Sequence, residues 1–225
     1  MTRGKHPSGC ARSDPLGATW AATPSPSPLG PPRGACYRRR MGFTSKWTAV
    51  RADQGARVIA ALGLRIADQV PASNTEYVEP HGCFGFTTNT GHYAIWASSR
   101  RNVGFINHDP AVSRGGEALF FETHDSSMCV ELFHYTDGVQ DWGLSYDGMN
   151  GVSEPRVFGD PPPAVKEVID RQRAAQAAET DADHMYEIAP EVGRLLIGFR
   201  HDETPYGGDG EEPLYDLLLP AAGGA

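Results

Sequence analysis

Residues 117–158 read as four strands separated only by short turns, and this stretch constrains the fold more than any other. The strands cover 117–123, 127–135, 141–146 and 152–158; Asp125-Ser126, Asp137-Gly138 and residues 147–151 join them. In the third of them Trp142, Leu144 and Tyr146 present one continuous face, the period of two that marks a half-buried strand. Connections this short cannot carry a chain back over a sheet, so consecutive strands must be antiparallel neighbours. Asp137-Gly138 supplies the positive φ values that a two-residue hairpin turn demands. A further hairpin is expected from 83–88 and 93–98 around Asn89-Thr90-Gly91, and a first strand over 43–51, with Phe43, Trp47 and Ala49 on one face and Thr44, Thr48 and Val50 on the other.

Helical periodicity appears in three places. After the first strand, Asp53 is expected to cap a short helix with Val58, Ile59 and Leu62 as its apolar stripe and Gly63 at its left-handed end. Pro161-Pro162-Pro163 introduces a second helix with Val165, Val168 and Ile169 inward; its later part, AAQAAET, has little to bury and is expected to project or fray. A third runs from Pro190 with Val192, Leu195 and Leu196 inward and stops at Gly198. Asp109-Pro110 reads as one capped helical turn. Strands outnumber helices and are joined mostly by hairpins, so the expected fold is α+β, a mostly antiparallel sheet with two or three helices on one face.

Charge divides the chain. Residues 1–40 carry seven Lys and Arg and one acid, Asp14, which leaves residues 41–225 with 13 basic and 27 acidic side chains, a net charge of −14. The basic segment is dominated by Pro, Ser and Gly from Thr23 to Gly34 and has almost nothing to bury against the entropy of ordering it. The expected organisation is a disordered basic tail over 1–40, one α+β domain over 41–205 and a flexible acidic segment over 206–225. An acidic domain repels phosphate backbones and steers basic molecules towards itself, so a basic protein partner is favoured and nucleic acid disfavoured. Alternatively, the charge serves only to keep the domain soluble.

Cys10, Cys36, Cys83 and Cys129 have neither zinc-ligand nor disulfide-framework spacing. No apolar stretch approaches a membrane span, and the residues after Arg38-Arg39-Arg40 are too charged for a signal peptide, so a cytoplasmic protein without a membrane partner is expected. The glycines at Gly82 and Gly85 lead into a strand rather than a helix, so no dinucleotide or nucleotide cofactor is expected. There is no G-x-S-x-G elbow, and Cys129 in mid-strand reads as a buried, inert thiol.

Four segments, MGFTSKWTAVR at 41–51, ETH at 122–124, DGVQDWGLSYD at 137–147 and GFRHDE at 198–203, together resemble a family of small bacterial cytosolic proteins without an established activity. In that family the middle block reads Glu-Glu-His, and the strand after the Asp-Gly turn ends in His-Asp. This chain departs at Thr123 and Tyr146. The resemblance implies a domain beginning near Met41 and a bacterial cytosol, and no mechanism.

His-Asp occurs three times, at His108-Asp109, His124-Asp125 and His201-Asp202. Neighbours on a strand point to opposite faces, so such a pair is not in itself a catalytic dyad. His108-Asp109 reads as the start of a helical turn with Asp109 capping. Glu122 and His124, two apart, share a face: the carboxylate could fix the imidazole's tautomer, or both could ligate a metal; a solvated strand end is the plainer account. Arg200 and His201 lie beyond a helix C-terminus, where a cation interacts favourably with the dipole. Were that loop to fold over the strand, Glu122, His124, His201 and Asp202 would form a catalytic cluster, with Glu122, His124 and His201 as metal ligands. Two functions are compatible with these features. The first is a non-catalytic acidic protein that binds a basic partner, as an immunity protein would; the alternative is a metal-dependent hydrolase built on the His/carboxylate cluster. Trp96 and Trp142 are expected to pack in the sheet, or to mark an interface if exposed.

Overall fold

The computed structural model describes residues 44–74, 83–97, 104, 106, 108–179, 181–202 and 212–221. The expected tail 1–40 and Phe43 lie outside them. The strands are β1 (Thr44–Arg51), β2 (Leu64–Pro71), β3 (Cys83–Thr87), β4 (His92–Ala97), β5 (Glu117–His124), β6 (Cys129–Thr136), β7 (Val139–Asp147), β8 (Arg156–Gly159) and β9 (Leu214–Pro220). They form one antiparallel sheet in the order β2-β9-β3-β4-β1-β5-β6-β7-β8. Among the described residues the α-helices are α1 (Gly55–Ala61), α2 (Pro163–Ala178) and α3 (Ile188–Ile197). The chain is therefore α+β, with a large antiparallel sheet.

Sequence-adjacent strands make four of the eight pairings in this sheet, β3–β4, β5–β6, β6–β7 and β7–β8. Asp137 and Gly138 take φ 49° and 84°, both in the left-handed region that a right-twisted hairpin needs. β1 returns to lie between β4 and β5, in register Trp47↔Trp96 and Trp47↔Phe121. The C-terminal segment departs from expectation. Leu214–Pro220, which lies in the segment expected to be flexible, is β9 inside the sheet, paired with β2 on one side and β3 on the other. Its Tyr215 and Leu218 are buried in the core. β2, directly after α1, is likewise absent from the expected elements: it is a largely exposed edge strand whose apolar pattern is weak.

Both faces of the central strands are apolar, so both must be covered. Trp47, Ala49, Leu119 and Phe121 pack with Val165, Val168 and Ile169 of α2 and Ile188, Val192 and Ile197 of α3. Val50, Ala118 and Phe120, on the reverse face, pack with Val58 and Ile59 of α1 and with Val112. The helices thus divide between two faces rather than sharing one. Trp47 stacks on Phe121 at 5.1 Å between ring centres, and α3 approaches it through Gly193, where a Cβ would stand 2.9 Å from Trp47 Cζ2.

Local details also differ. α1 is preceded by a 3-10 turn over Ala52–Gln54 that contains Asp53, so Asp53 does not cap it. α3 starts two residues before Pro190, which buries Ile188, Ala189, Val192 and Ile197 and turns Leu195 outward. The later half of α2 is tied down by Gln176, whose side chain bonds Ala182 O and His184 N. Trp142 is buried and Trp96 donates to Ser45 Oγ at 2.8 Å, so both tryptophans pack in the sheet.

Candidate functional site

On the α1 face the four central strands change character along their length. Near α1 the rows across the sheet are apolar. At the far end, register aligns Lys46 on β1, Glu122 on β5, Glu131 on β6 and Ser145 on β7 in one row. The next row out is Thr44, His124, Cys129 and Asp147. Side chains in the same row of adjacent strands touch, so register alone assembles a polar patch from residues far apart in sequence.

Glu122 lies at its centre. Lys46 Nζ sits 2.8 Å from Oε2, and His124 Nε2 sits 3.0 Å from Oε1. A carboxylate accepts, so Nε2 of His124 carries a proton, and Nδ1 is hydrogen-bonded to Thr44 Oγ1 at 3.0 Å. Glu122 therefore orients His124. The two are not a solvated strand end, however: each side chain is only 13% exposed. Burial pushes the Glu122 carboxyl up, but His124 and Lys46 more than reverse this and hold it at about 2. Its row partner Glu131 behaves oppositely. Burial first, then the negative charge of Glu122, pushes Glu131 up to about 7, with Ser145 Oγ donating to it at 3.4 Å. Two carboxyls in one row are thus driven apart, a pattern typical of functional sites.

His108 completes the group. Asp109 does cap the 3-10 turn Pro110–Ser113, by accepting from Ala111 N at 2.8 Å. Ser113 Oγ accepts from Gly138 N at 2.7 Å, which docks this turn on the β6–β7 hairpin. The His108 ring is thereby laid on Phe120 and Phe133, centres 5.3 and 5.8 Å away. Its Nε2 lies 3.9 Å from Glu122 Oε2. One donor atom each from His108, Glu122 and Glu131 lies within 4.8 Å of the other two. One imidazole and two carboxylates form a donor set suited to Zn²⁺, Mn²⁺ or Fe²⁺.

His201 and Asp202 do not join this group. The His201 ring packs on Phe121, 5.0 Å between centres, which is the helix face of the sheet; Glu122 and His124 point to the other face. The expected cluster of all four is therefore split by the alternation of the strand itself. Asp202 instead accepts from Arg200 Nε at 2.6 Å, while the same guanidinium bonds Glu187 and Glu191. Arg200 thus locks the loop to the start of α3. His201 lies 3.8 Å from Asp125, which also accepts from Tyr186. Cys129 is buried, with Asp147 Oδ1 at 3.3 Å.

No protein-family model matches the chain, and neither a curated protein nor a solved structure matches it. No helix among the described residues is long and apolar enough to cross a membrane.

Proposed function

We propose that this protein is a metal-dependent hydrolase whose divalent cation is held by His108, Glu122 and Glu131. The reading rests on one observation: donor atoms of these three side chains, two from neighbouring strands of the sheet and one from the segment just before the Pro110–Ser113 turn, lie within 4.8 Å of one another. Three protein donors leave a coordination position for water or substrate, as catalytic sites require. A cation there would polarise a carbonyl or phosphoryl oxygen and acidify its bound water. His124, steadied by Thr44, fixes the Glu122 carboxylate from behind, the outer support that metal ligands need.

The test is calorimetric titration of the chelator-treated full chain with Mn²⁺ and with Zn²⁺. One ion per chain is expected. Glu131→Gln keeps the shape of the protonated acid and is expected to weaken binding at least about tenfold while the fold persists. Absence of binding, or equal binding by Glu131→Gln and His108→Asn, would falsify the metal centre. Hydrolysis of chromogenic esters and phosphate esters then asks whether the bound ion is catalytic.

A second reading is supported by the net charge of −14 on residues 41–225: a non-catalytic acidic protein that engages a basic protein in the cytoplasm, in the manner of an immunity protein. It predicts partner binding that weakens steeply with salt and does not change with metal.

A further inference from the structure

We propose that Lys46 is a built-in competitor for the cation, its ammonium holding the position on Glu122 that a divalent ion must take over. The proposal rests on the metal centre above and adds a gate to it.

Lys46 Nζ and His108 Nε2 converge on the same atom, Glu122 Oε2, at 2.8 and 3.9 Å. Any cation shared by His108, Glu122 and Glu131 therefore forms within a few ångströms of the ammonium. The Lys46 side chain is 12% exposed, so little water screens the repulsion between the two positive charges. Ala97, across β1 from Lys46 in the register, has no side-chain acceptor to offer it. Glu122 is thus the carboxylate that holds the ammonium in this row.

Lys46 has a use before the ion arrives. Glu122 and Glu131 are direct cross-strand partners, and like charges directly opposite one another destabilise a sheet. The ammonium neutralises Glu122 and holds its carboxylate ready as a ligand. A divalent ion does the same with twice the charge, on both carboxylates at once. Binding is then an exchange of ammonium for metal, and the exchange lowers affinity by the free energy of the ion pair it breaks. Loosely bound or monovalent cations lose that competition, so Lys46 sets a threshold for occupancy.

Two opposing effects identify this role. Lys46→Met is expected to lower the melting temperature of the metal-free protein, because Glu122 loses its counter-ion, and to bind Mn²⁺ at least about tenfold more tightly than the native chain. Lys46→Arg keeps the charge and is expected to bind like the native chain. Lys46→Gln replaces Lys46→Met if the latter does not fold. All variants are titrated calorimetrically as full chains after chelator treatment. Tighter binding confined to the uncharged variants supports the exchange. Equal or weaker binding by an uncharged variant overturns it and leaves the metal centre standing. Absence of binding by every form overturns both.

Discussion

Asp125, at the turn between β5 and β6, shows how one side chain joins the sheet to the helices. Its carboxylate accepts from Tyr186, just before α3, and lies 3.8 Å from His201 beyond that helix. Burial pushes its carboxyl up, but His201, Tyr186 and Thr123 more than reverse this and hold it below the ordinary value of 3.8. The folded state therefore binds fewer protons than the unfolded chain in the interval between the two values. Its stabilising contribution is complete above the unfolded value and disappears as pH falls through the lower, folded one. Denaturant unfolding from about pH 5 to about pH 2 is expected to show native stability falling more steeply than that of Asp125→Asn. Parallel pH curves for the two proteins would mean that the carboxylate is not coupled to folding.

At the level of elements, β9 carries the largest consequence. It fills the gap between β2 and β3 and buries Tyr215 and Leu218. Tyr93 on β4 donates to its Asp216 at 2.6 Å, and that ring lies over Gly85 of β3, where a Cβ would stand 2.0 Å from the Tyr93 oxygen. The glycine is thus a close-approach position that lets β4 reach across β3 to β9. A chain ending after Pro205 loses this strand, leaves β3 as an apolar edge and strips β2 of its partner. Two large buried side chains alone are worth at least about 4 kcal/mol, so this fragment is expected to unfold at much lower denaturant concentration or to be insoluble. A fragment with the same denaturation midpoint as the full chain would show that β9 is dispensable.

For the whole molecule, the question is which part of the chain must be present. Both faces of the sheet are closed by segments from β1 onwards: α2 and α3 on one, α1 and the Pro110 turn on the other. Residues 41–225 are therefore expected to fold without residues 1–40, with a melting temperature within about 2 °C of the full chain. Calorimetry of the two proteins checks this, and a much lower transition in the shorter one would assign the first forty residues a part in the fold.

Local chemistry is enough to place the elements whose signals are local. The Asp137-Gly138 turn, the four strands around it, the Asp109 cap and the buried stripe of α2 come from side-chain period, left-handed turn geometry and capping, each set within a few residues. Glu122 and His124 are legible as a pair because alternation puts them on one face. Glu131 and Lys46 are not, because their place beside Glu122 depends on register. A turn centred on Asp125-Ser126 would set Glu122 opposite Cys129; the actual connection takes in a 3-10 turn over Asp125–Ser127 and Met128 at φ 48°, an unusual residue for that conformation, and so brings Glu131 opposite instead. His108 is legible as the lead into a capped turn, yet its meeting with Glu122 depends on where that turn docks. β2 and β9 pair across some 150 residues of chain, with little alternation in either to announce it. The sequence by itself determined the local elements and the charge of the domain. Tertiary structure decided the register, the face each helix covers, and hence which histidine and which carboxylates meet, because those depend on long-range pairing that no short window of sequence contains.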